Sequence, residues 1–197
     1  MNFKKARKYI LTRLEEGLPH ELFHYHGLRH TLDVEREVME FAAAEKISGD
    51  ELVLLKTAAL YHDSGFLVQY KNNEEMACVL AKEFLPEFDY SQEQIESICK
   101  MIMATRIPQE PQNLSERILC DADLEYLGTD RFCSLSNALR EELADQDIYF
   151  SEKEWLKLEI DFMEKHKFFT NSAARSRNDL KMKHLSELKK ALEKLGG

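Results

Sequence analysis

The sequence predicts an all-α fold. Seven glycines and four prolines are spread over 197 residues, so long helices can form without interruption. Apolar residues recur at helical spacing along most of the chain. The strict alternation of apolar and polar residues that indicates a strand is missing, and no Asn-Gly or Asp-Gly hairpin turn occurs.

The first two helices are predicted over residues 2–16 and about 30–46. One face of the first helix carries four apolar residues: Phe3, Ala6, Ile10 and Leu14. Gly17 and Pro19 end this helix, because glycine favours helix ends and proline cannot continue a helix. The second helix has an apolar series of its own: Leu32, Val34, Val38, Phe41 and Ala42. A histidine-rich connector, residues 18–29, joins the two helices.

A third helix is predicted to begin at a cap formed by Ser48 or Asp50 and to end at His62-Asp63. Gly65, just behind the pair, stops the helix. Apolar residues surround most of the axis of this helix, which is typical of a buried helix. They are Leu52, Val53, Leu55, Ala58, Ala59 and Leu60.

The later helices follow from the same periodicity and from capping boxes, in which a serine and the third residue after it satisfy each other's amide groups. Two such boxes are Ser91–Gln94 and Ser151–Glu154. The predicted helices cover residues 73–84, a segment that opens at 91, then 115–127, 130–147, 151–165 and a last segment from 171 or 176 onward.

The composition indicates one globular domain over residues 1–197, with 44% hydrophobic and 32% charged residues. A net charge of −9 makes the chain a poor candidate for non-specific binding to nucleic acid or to an anionic membrane surface. No window approaches the ~18 apolar residues of a membrane span, and the first residues lack the apolar stretch of a signal peptide. We therefore expect a cytoplasmic protein that is a monomer or a homodimer.

The four cysteines, Cys78, Cys99, Cys120 and Cys133, are widely spaced and form no Cys-x-x-Cys pair. A zinc-finger site is therefore not indicated. The first three fit small core residues in a reducing compartment, whereas the sequence leaves the role of Cys133 open.

The pair His62-Asp63 is the feature that most strongly indicates chemistry. It ends an apolar helix, where a buried carboxylate costs free energy unless a partner neutralises it. A divalent cation is the strongest such partner, and imidazole with carboxylate suits Zn, Fe, Mn, Co or Ni. Four of the seven histidines lie within eleven residues. They are either further metal ligands or part of a solvated connector. They are His20, His24, His26 and His30.

Two aspartates, Asp121 and Asp123, interrupt a predicted helix that is otherwise apolar. Residues two apart on a helix point about 200° away from each other, so the two carboxylates cannot serve one site equally. Either one of them faces a metal while the other hydrogen-bonds or faces water, or both belong to a solvated face.

Three stretches, taken in order, resemble the HD-domain superfamily of metal-dependent phosphohydrolases. Residues 25–34, YHGLRHTLDV, resemble its motif YHxxxHTxxV, and residues 58–65, AALYHDSG, resemble its motif AALxHDxG. Residues 118–124, ILCDADL, resemble its motif ILxDAD. These core motifs span residues 25–124, and residues 164–170, EKHKFFT, are similar to a C-terminal element of small stand-alone members.

The resemblance implies an HD-domain-like helical bundle around a metal site, with additional C-terminal helices over residues 130–197. It implies a metal held by His30, His62, Asp63 and Asp123, the last because the aspartate after alanine is the usual ligand. The cofactor would be one divalent ion of Mn, Fe, Co, Ni, Zn or Mg. The implied reaction is hydrolysis of a phosphomonoester or phosphodiester, often of a nucleotide, through attack of a metal-bound water on a small phosphorylated substrate.

Three residues become candidates for catalysis through this resemblance. Asp63 would be both a ligand and the acceptor of a proton from the attacking water. His26 occupies the position of a histidine that protonates the leaving oxygen in cyclic-nucleotide phosphodiesterases of the superfamily, and is otherwise a structural histidine. Glu74 follows Asn73, which stands where a histidine before a glutamate is common in the family.

The chain departs from the family pattern in two ways. Members with two metal ions carry further histidines after the HD pair, and none lies between His62 and His166 here, so we expect a single ion. The basic residue that often follows the dipeptide is also missing, so phosphate contacts must come from elsewhere. The candidates for substrate binding are Arg29, Arg106, His166 and Lys167, with Arg175 as a further basic residue. The alternative is a solvated surface charge at each position or, for His166, an ordinary helix C-terminus.

A second class of function fits the same residues. The chain would then be a non-catalytic regulatory module that binds a metal or a nucleotide and signals through helix contacts. Turnover of a phosphoester distinguishes the enzyme from the module. A transition metal that is lost on His30→Ala excludes a metal-free interaction domain.

Overall fold

The computed structural model of the chain describes residues 1–196 and is helical throughout. Helix accounts for 74% of it, and no strand occurs within residues 1–196, which confirms the all-α prediction. The chain forms two compact units, Met1–Asp123 and Leu124–Gly197. The expectation of one domain over residues 1–197 stays a prediction.

Six α-helices build the first unit: α1 (Phe3–Gly17), α2 (Leu28–Ala44), α3 (Gly49–Tyr61), α4 (Asn73–Phe84), α5 (Gln92–Ala104) and α6 (Leu114–Asp123). Short 3-10 turns, Ser64–Leu67 and Leu85–Phe88, follow α3 and α4. Helix α3 is central, because it packs against α1, α2, α5 and α6. Its residues Leu55 to Tyr61 are almost all buried, as the apolar run around its axis predicts. The C-terminus of α3 therefore lies inside the unit.

Capping boxes begin two helices as predicted. The Ser91 side chain accepts a hydrogen bond from the Gln94 amide at 3.3 Å, and Gln94 Oε1 accepts one from the Ser91 amide at 2.9 Å. Ser151 and Glu154 make the same exchange at the start of a helix in the second unit. Ser48 occupies the cap position of α3, but its side chain makes no capping hydrogen bond.

Replacing Ser91 with alanine is expected to lower the free energy of unfolding by about 1 kcal/mol, because the Gln94 amide loses its acceptor. Urea denaturation followed by circular dichroism measures the change. Ser48→Ala is the matched control, since that serine holds the same position without a capping bond. Equal losses in both variants would contradict a role for the Ser91 hydroxyl.

Helix α6 differs most from its predicted bounds. It ends at Asp123 rather than near Leu127, and a separate 3-10 turn, Glu125–Gly128, follows in the chain. The apolar spacing continues across this break, so periodicity alone does not reveal it. The break places Asp123 at a helix end, where its side chain is less confined than in the middle of a helix.

The second unit consists of that turn and three helices: α7 (Phe132–Asp145), α8 (Glu152–Lys165) and α9 (Asn171–Gly196). Helix α9 packs against α8 and against the turn. His184 is buried there: its Nδ1 donates to the Leu127 carbonyl at 3.0 Å, and its ring stacks on Phe132 at 4.8 Å. None of the helices within residues 1–196 is long and apolar enough to cross a membrane.

Candidate metal centre

Three helix ends of the first unit bring four predicted ligands together. His30 lies in the first turn of α2, His62 and Asp63 follow the last residue of α3, and Asp123 is the last residue of α6. Helix α2 packs against both α3 and α6, and α3 packs against α6. The packing of these three helices therefore joins residues that are up to 93 positions apart in the sequence.

The four side chains meet through their nitrogen and oxygen atoms. The two imidazole Nε2 atoms are 3.3 Å apart. Asp123 Oδ1 lies 3.2 Å from His30 Nε2 and 3.4 Å from His62 Nε2. Asp63 Oδ2 lies 3.3 Å and 3.1 Å from the same two nitrogens. The His62 side chain is 1% exposed and that of Asp123 is 15% exposed, so solvent reaches the cluster from the side of Asp123.

Hydrogen bonds outside the cluster orient two of its members. His62 Nδ1 donates to the Ala59 carbonyl at 2.8 Å, which leaves the lone pair of Nε2 directed at the cluster. Asn73 Nδ2 donates to Asp63 Oδ1 at 3.3 Å. The other oxygen, Asp63 Oδ2, is buried and makes no hydrogen bond of acceptable geometry, although both histidine nitrogens are close. One carboxylate oxygen without a hydrogen bond therefore lies beside both imidazole Nε2 atoms.

The electrostatics of the cluster favour a positive charge there. Burial disfavours a charged His30, but Asp123 and Asp63 outweigh burial and raise the pKa of His30 to about 9. The pKa of His62 is raised for the same reason, with Asp63 as the main carboxylate. Burial would raise the pKa of Asp63 and of Asp123, yet the histidines hold both below their usual range. A proton or a metal cation is thus needed to balance the two carboxylates.

The donor set fits a divalent transition metal. His30, His62 and Asp123 each offer one atom, and these three atoms all lie within 4.8 Å of one another. A tetrahedral ion with ligands at about 2.0–2.1 Å separates them from each other by about 3.3–3.4 Å. The observed separations of 3.2 to 3.4 Å match this spacing. Imidazole nitrogen with carboxylate oxygen suits Zn, Fe, Mn, Co or Ni.

The structure brings Asp123 into this group and leaves Asp121 outside it. Asp121 is completely buried elsewhere in the unit. The separation follows from helix geometry, because residues two apart point to nearly opposite faces. The role of Asp123 as a ligand stays a prediction, with this geometry in its favour.

Asp123→Asn is expected to weaken metal binding at least about tenfold, because a neutral amide oxygen replaces a charged ligand. Titration of the metal-stripped protein, followed by isothermal calorimetry, measures the affinity. Asp121→Asn is the matched control and should keep the affinity within about threefold. A larger loss in Asp121→Asn than in Asp123→Asn would show that the ligand has been assigned to the wrong aspartate.

His26 lies beside the cluster, in an aromatic environment. Its ring centroid is 6.0 Å from that of His30 and 4.7 Å from that of Tyr25. It stacks on Phe66 at 4.4 Å. Tyr25, in turn, is buried and tilted against His30 at 4.8 Å. Tyr25 thus contacts both histidines, whereas Phe66 contacts His26.

Tyr25 and Phe66 were not among the sequence-predicted site residues. Each adjoins a predicted one: Tyr25 precedes His26 in the first motif, and Phe66 follows the HD motif directly. An aromatic side chain next to a motif histidine is a signal that could have indicated a contact. The direction of the contact depends on the fold, so the sequence alone does not supply it.

Glu74 lies in the first turn of α4, one residue after the asparagine that contacts Asp63. It is half-buried, and burial is the main reason that its pKa is raised, with further contributions from the charges of Asp63 and Glu75. The structure therefore places Glu74 within electrostatic reach of the cluster. Its catalytic role stays a prediction.

The four predicted substrate-binding residues are dispersed. Arg29 is exposed and lines a cavity of about 520 Å³ next to Tyr25. Arg106 Nη1 pairs with Glu75 Oε1 at 2.5 Å and is half exposed. His166 and Lys167 belong to the second unit, where the ammonium of Lys181 donates to the His166 carbonyl at 2.5 Å. The substrate roles of all four stay predictions.

Comparison with known proteins identifies one matching family and one similar protein. A family model described as HD domain matches residues 27–125, which is half of the chain. A protein of Clostridium beijerinckii described as uncharacterized is 32% identical over 101 residues, which cover 50% of this chain. The match covers 64% of the length of that relative. No solved structure matches the chain.

Proposed function

The chain belongs to the HD-domain family, and on that basis we propose that it is a metal-dependent phosphohydrolase acting on a phosphomonoester or phosphodiester. Proteins with this domain are typically hydrolases. The observation that carries the proposal is the cluster of His30, His62, Asp63 and Asp123. In it both aspartates lie within 3.4 Å of the two imidazole nitrogens, and the buried Asp63 Oδ2 makes no hydrogen bond. A small phosphorylated molecule, such as a nucleotide, is the proposed substrate.

These four residues would hold one divalent ion. When bound, the ion supplies a Lewis acid that lowers the pKa of a coordinated water and stabilises negative charge on phosphate oxygens. The ligands would be neutral histidines and ionised aspartates, so the site loses its protons on loading. His62 is already held in the required tautomer by the Ala59 carbonyl.

Asp63 is the proposed proton acceptor for the water that attacks phosphorus. The Asn73 amide donates a hydrogen bond to Asp63 Oδ1, and Asp63 Oδ2 lies in the cluster without a hydrogen bond. The anchored Oδ1 fixes the orientation of the carboxylate, which a group that receives a proton requires. Glu74, whose pKa is raised mainly by burial, is the proposed second carrier of that proton toward solvent.

His26 is the proposed proton donor to the leaving oxygen. Imidazole releases and takes up protons near neutral pH, as a general acid requires. Its stacking on Phe66 fixes the ring plane, and its ring lies edge-on to that of His30 at a centroid distance of 6.0 Å, beside the candidate ligands. Arg29 and Arg106, both on the first unit, are proposed contacts of the remaining substrate.

The proposal is tested by assaying the purified protein against nucleotides, cyclic nucleotides and simple phosphoesters, with Mn, Co, Ni, Zn, Fe or Mg added. The reference is the double variant His62→Ala, Asp63→Ala, prepared in the same way. We expect at least one substrate to turn over faster with the wild type. Equal rates for the wild type and the double variant on all substrates would refute the phosphohydrolase activity. Metal or nucleotide binding without turnover would support the regulatory module instead.

The role of His26 is tested separately, on any substrate for which the first assay detects turnover. His26→Ala is expected to lower kcat by about a hundredfold or more for a substrate with a poor leaving group. A substrate with an acidic leaving group, such as a nitrophenol, should be nearly unaffected, because such a group departs without a proton. An equal loss on both substrates would contradict proton donation by His26.

A further inference from the structure

Two cysteines of the first unit face each other across a pair of packed helices. Cys78 lies on α4 and Cys99 lies on α5. Cys78 Sγ is 3.5 Å from the Cys99 carbonyl oxygen, and Cys99 Sγ is 3.7 Å from the Cys78 carbonyl oxygen. Each thiol thus donates to the backbone of the other cysteine, which places the two side chains next to each other. They are separated by 21 positions in the sequence, so the packing of α4 on α5 creates the pair.

The pair lies at the wall of an open cleft. Both cysteines are 7% exposed and line a cleft of about 870 Å³, together with Lys82 and Lys100. The pair therefore borders a space that is open to solvent. Cys120 differs, because it is completely buried and its thiol donates to the Ala104 carbonyl at 3.1 Å.

The charges around the pair favour one thiolate. The Cys78 thiol stabilises the anion of Cys99, and Lys82 adds to this, so the pKa of Cys99 is lowered despite its burial. The pKa of Cys78 is raised for the complementary reason, chiefly the hydrogen bond with Cys99. One sulfur thus has nucleophilic character while its neighbour keeps its proton, which is the arrangement of an attacking and a resolving cysteine.

We propose that Cys78 and Cys99 form an oxidation-sensitive dithiol site that small hydroperoxides convert to a disulfide. In the first step the Cys99 thiolate attacks the terminal peroxide oxygen, the O–O bond breaks, and Cys99 becomes a sulfenic acid while the peroxide leaves as an alcohol or water. In the second step the Cys78 sulfur attacks the Cys99 sulfur, and the hydroxyl leaves with a proton as water. Two thiols are oxidised and one peroxide is reduced. An external dithiol then reduces the disulfide to the two thiols and is itself oxidised to a disulfide.

The disulfide would tie α4 to α5 near the candidate metal centre. Helix α4 begins at Asn73, whose amide group contacts Asp63. Oxidation therefore acts on the helix that carries this contact, at a cysteine five residues after Asn73. The proposal itself concerns the chemistry of the cysteines and does not depend on the phosphohydrolase activity.

The test exposes the folded full-length protein to a small excess of hydrogen peroxide, then blocks the remaining thiols and measures the intact mass. We expect the oxidised monomer to carry two fewer blocking groups than the untreated protein blocked in the same way, because two thiols have been lost to the disulfide. Trypsin cleaves after Lys71, Lys82 and Lys100, so the disulfide should join peptide 72–82 to peptide 83–100. Treatment with dithiothreitol should separate the two peptides again.

Single variants identify the participants. Cys78→Ser and Cys99→Ser should each abolish the linked peptides, and Cys78→Ser should accumulate a sulfenic acid on Cys99 that a dimedone probe labels. Cys133→Ser is the control, because this cysteine is exposed on α7 and takes no part in the pair. Absence of the linked peptides in the folded wild type, or a disulfide that instead involves Cys133, would overturn the proposal.

Discussion

Replacing His62 with alanine is expected to abolish metal binding and to lower phosphoester turnover by roughly a thousandfold or more, since the catalytic ion is lost. His62 is the most buried ligand, and its Nε2 lies 3.1 to 3.4 Å from Asp63, His30 and Asp123. Alanine removes the central nitrogen and creates a cavity beside two carboxylates. The pKa values of these carboxylates should rise, because a neighbouring positive charge is removed from a buried site.

Elemental analysis of the purified proteins tests this prediction by measuring their metal content. The wild type should carry about one transition-metal ion per chain, and the variant should carry almost none. His20→Ala is the matched control, because it removes an exposed imidazole that lies outside the cluster. A variant that keeps its metal would show that the converging atoms are not the binding site. A metal-free wild type that still turns over substrate would refute metal dependence itself.

Gly65→Ala is expected to destabilise the fold by about 3 kcal/mol or more, at the upper end of the costs of overpacking a core. A Cβ at Gly65 would lie 1.8 Å from the Asn73 carbonyl oxygen and 2.6 Å from the carbonyl carbon. Both are backbone atoms of the first residue of α4, so no side-chain rotation relieves the clash. The start of α4 must shift, and with it the Asn73 amide that contacts Asp63.

The Gly65→Ala variant should therefore lose both stability and metal affinity. Urea denaturation of the metal-free protein gives the first quantity, and metal titration of the folded fraction gives the second. Gly27→Ala is the matched control, because a Cβ there meets only the Phe23 carbonyl at 3.5 Å, an ordinary contact. A loss in Gly65→Ala no larger than in Gly27→Ala would show that α4 does not pack this closely behind the HD pair.

Much of the fold could be predicted because the formation of a helix depends on residues that are close together in the sequence. Apolar spacing and the two capping boxes located the helices to within a few residues, except at the end of α6. Burial of Cys78, Cys99 and Cys120 was also predicted and is confirmed. The end of α6 at Asp123 was missed, because the apolar pattern runs on through the following 3-10 turn.

The candidate site was likewise predictable from the sequence only in part. The HD motifs in the sequence named His30, His62, Asp63 and Asp123, because each motif is a short run whose residue types carry the chemistry. Which aspartate of the third motif turns toward the histidines depends on the rotation of α6 against α2 and α3, and only the folded chain shows this.

The remaining features belong to the tertiary structure alone. They include the contact of Asn73 with Asp63, the stacking of Phe66 on His26, and the pairing of Cys78 with Cys99. None of these pairs is joined by a helical period, and the partners come from different elements. The physical reason is that periodicity determines which face of a helix is buried, whereas the neighbour that buries it is chosen by how whole helices pack. The sequence thus specified the helices and the ligand types, and packing decided which of them meet.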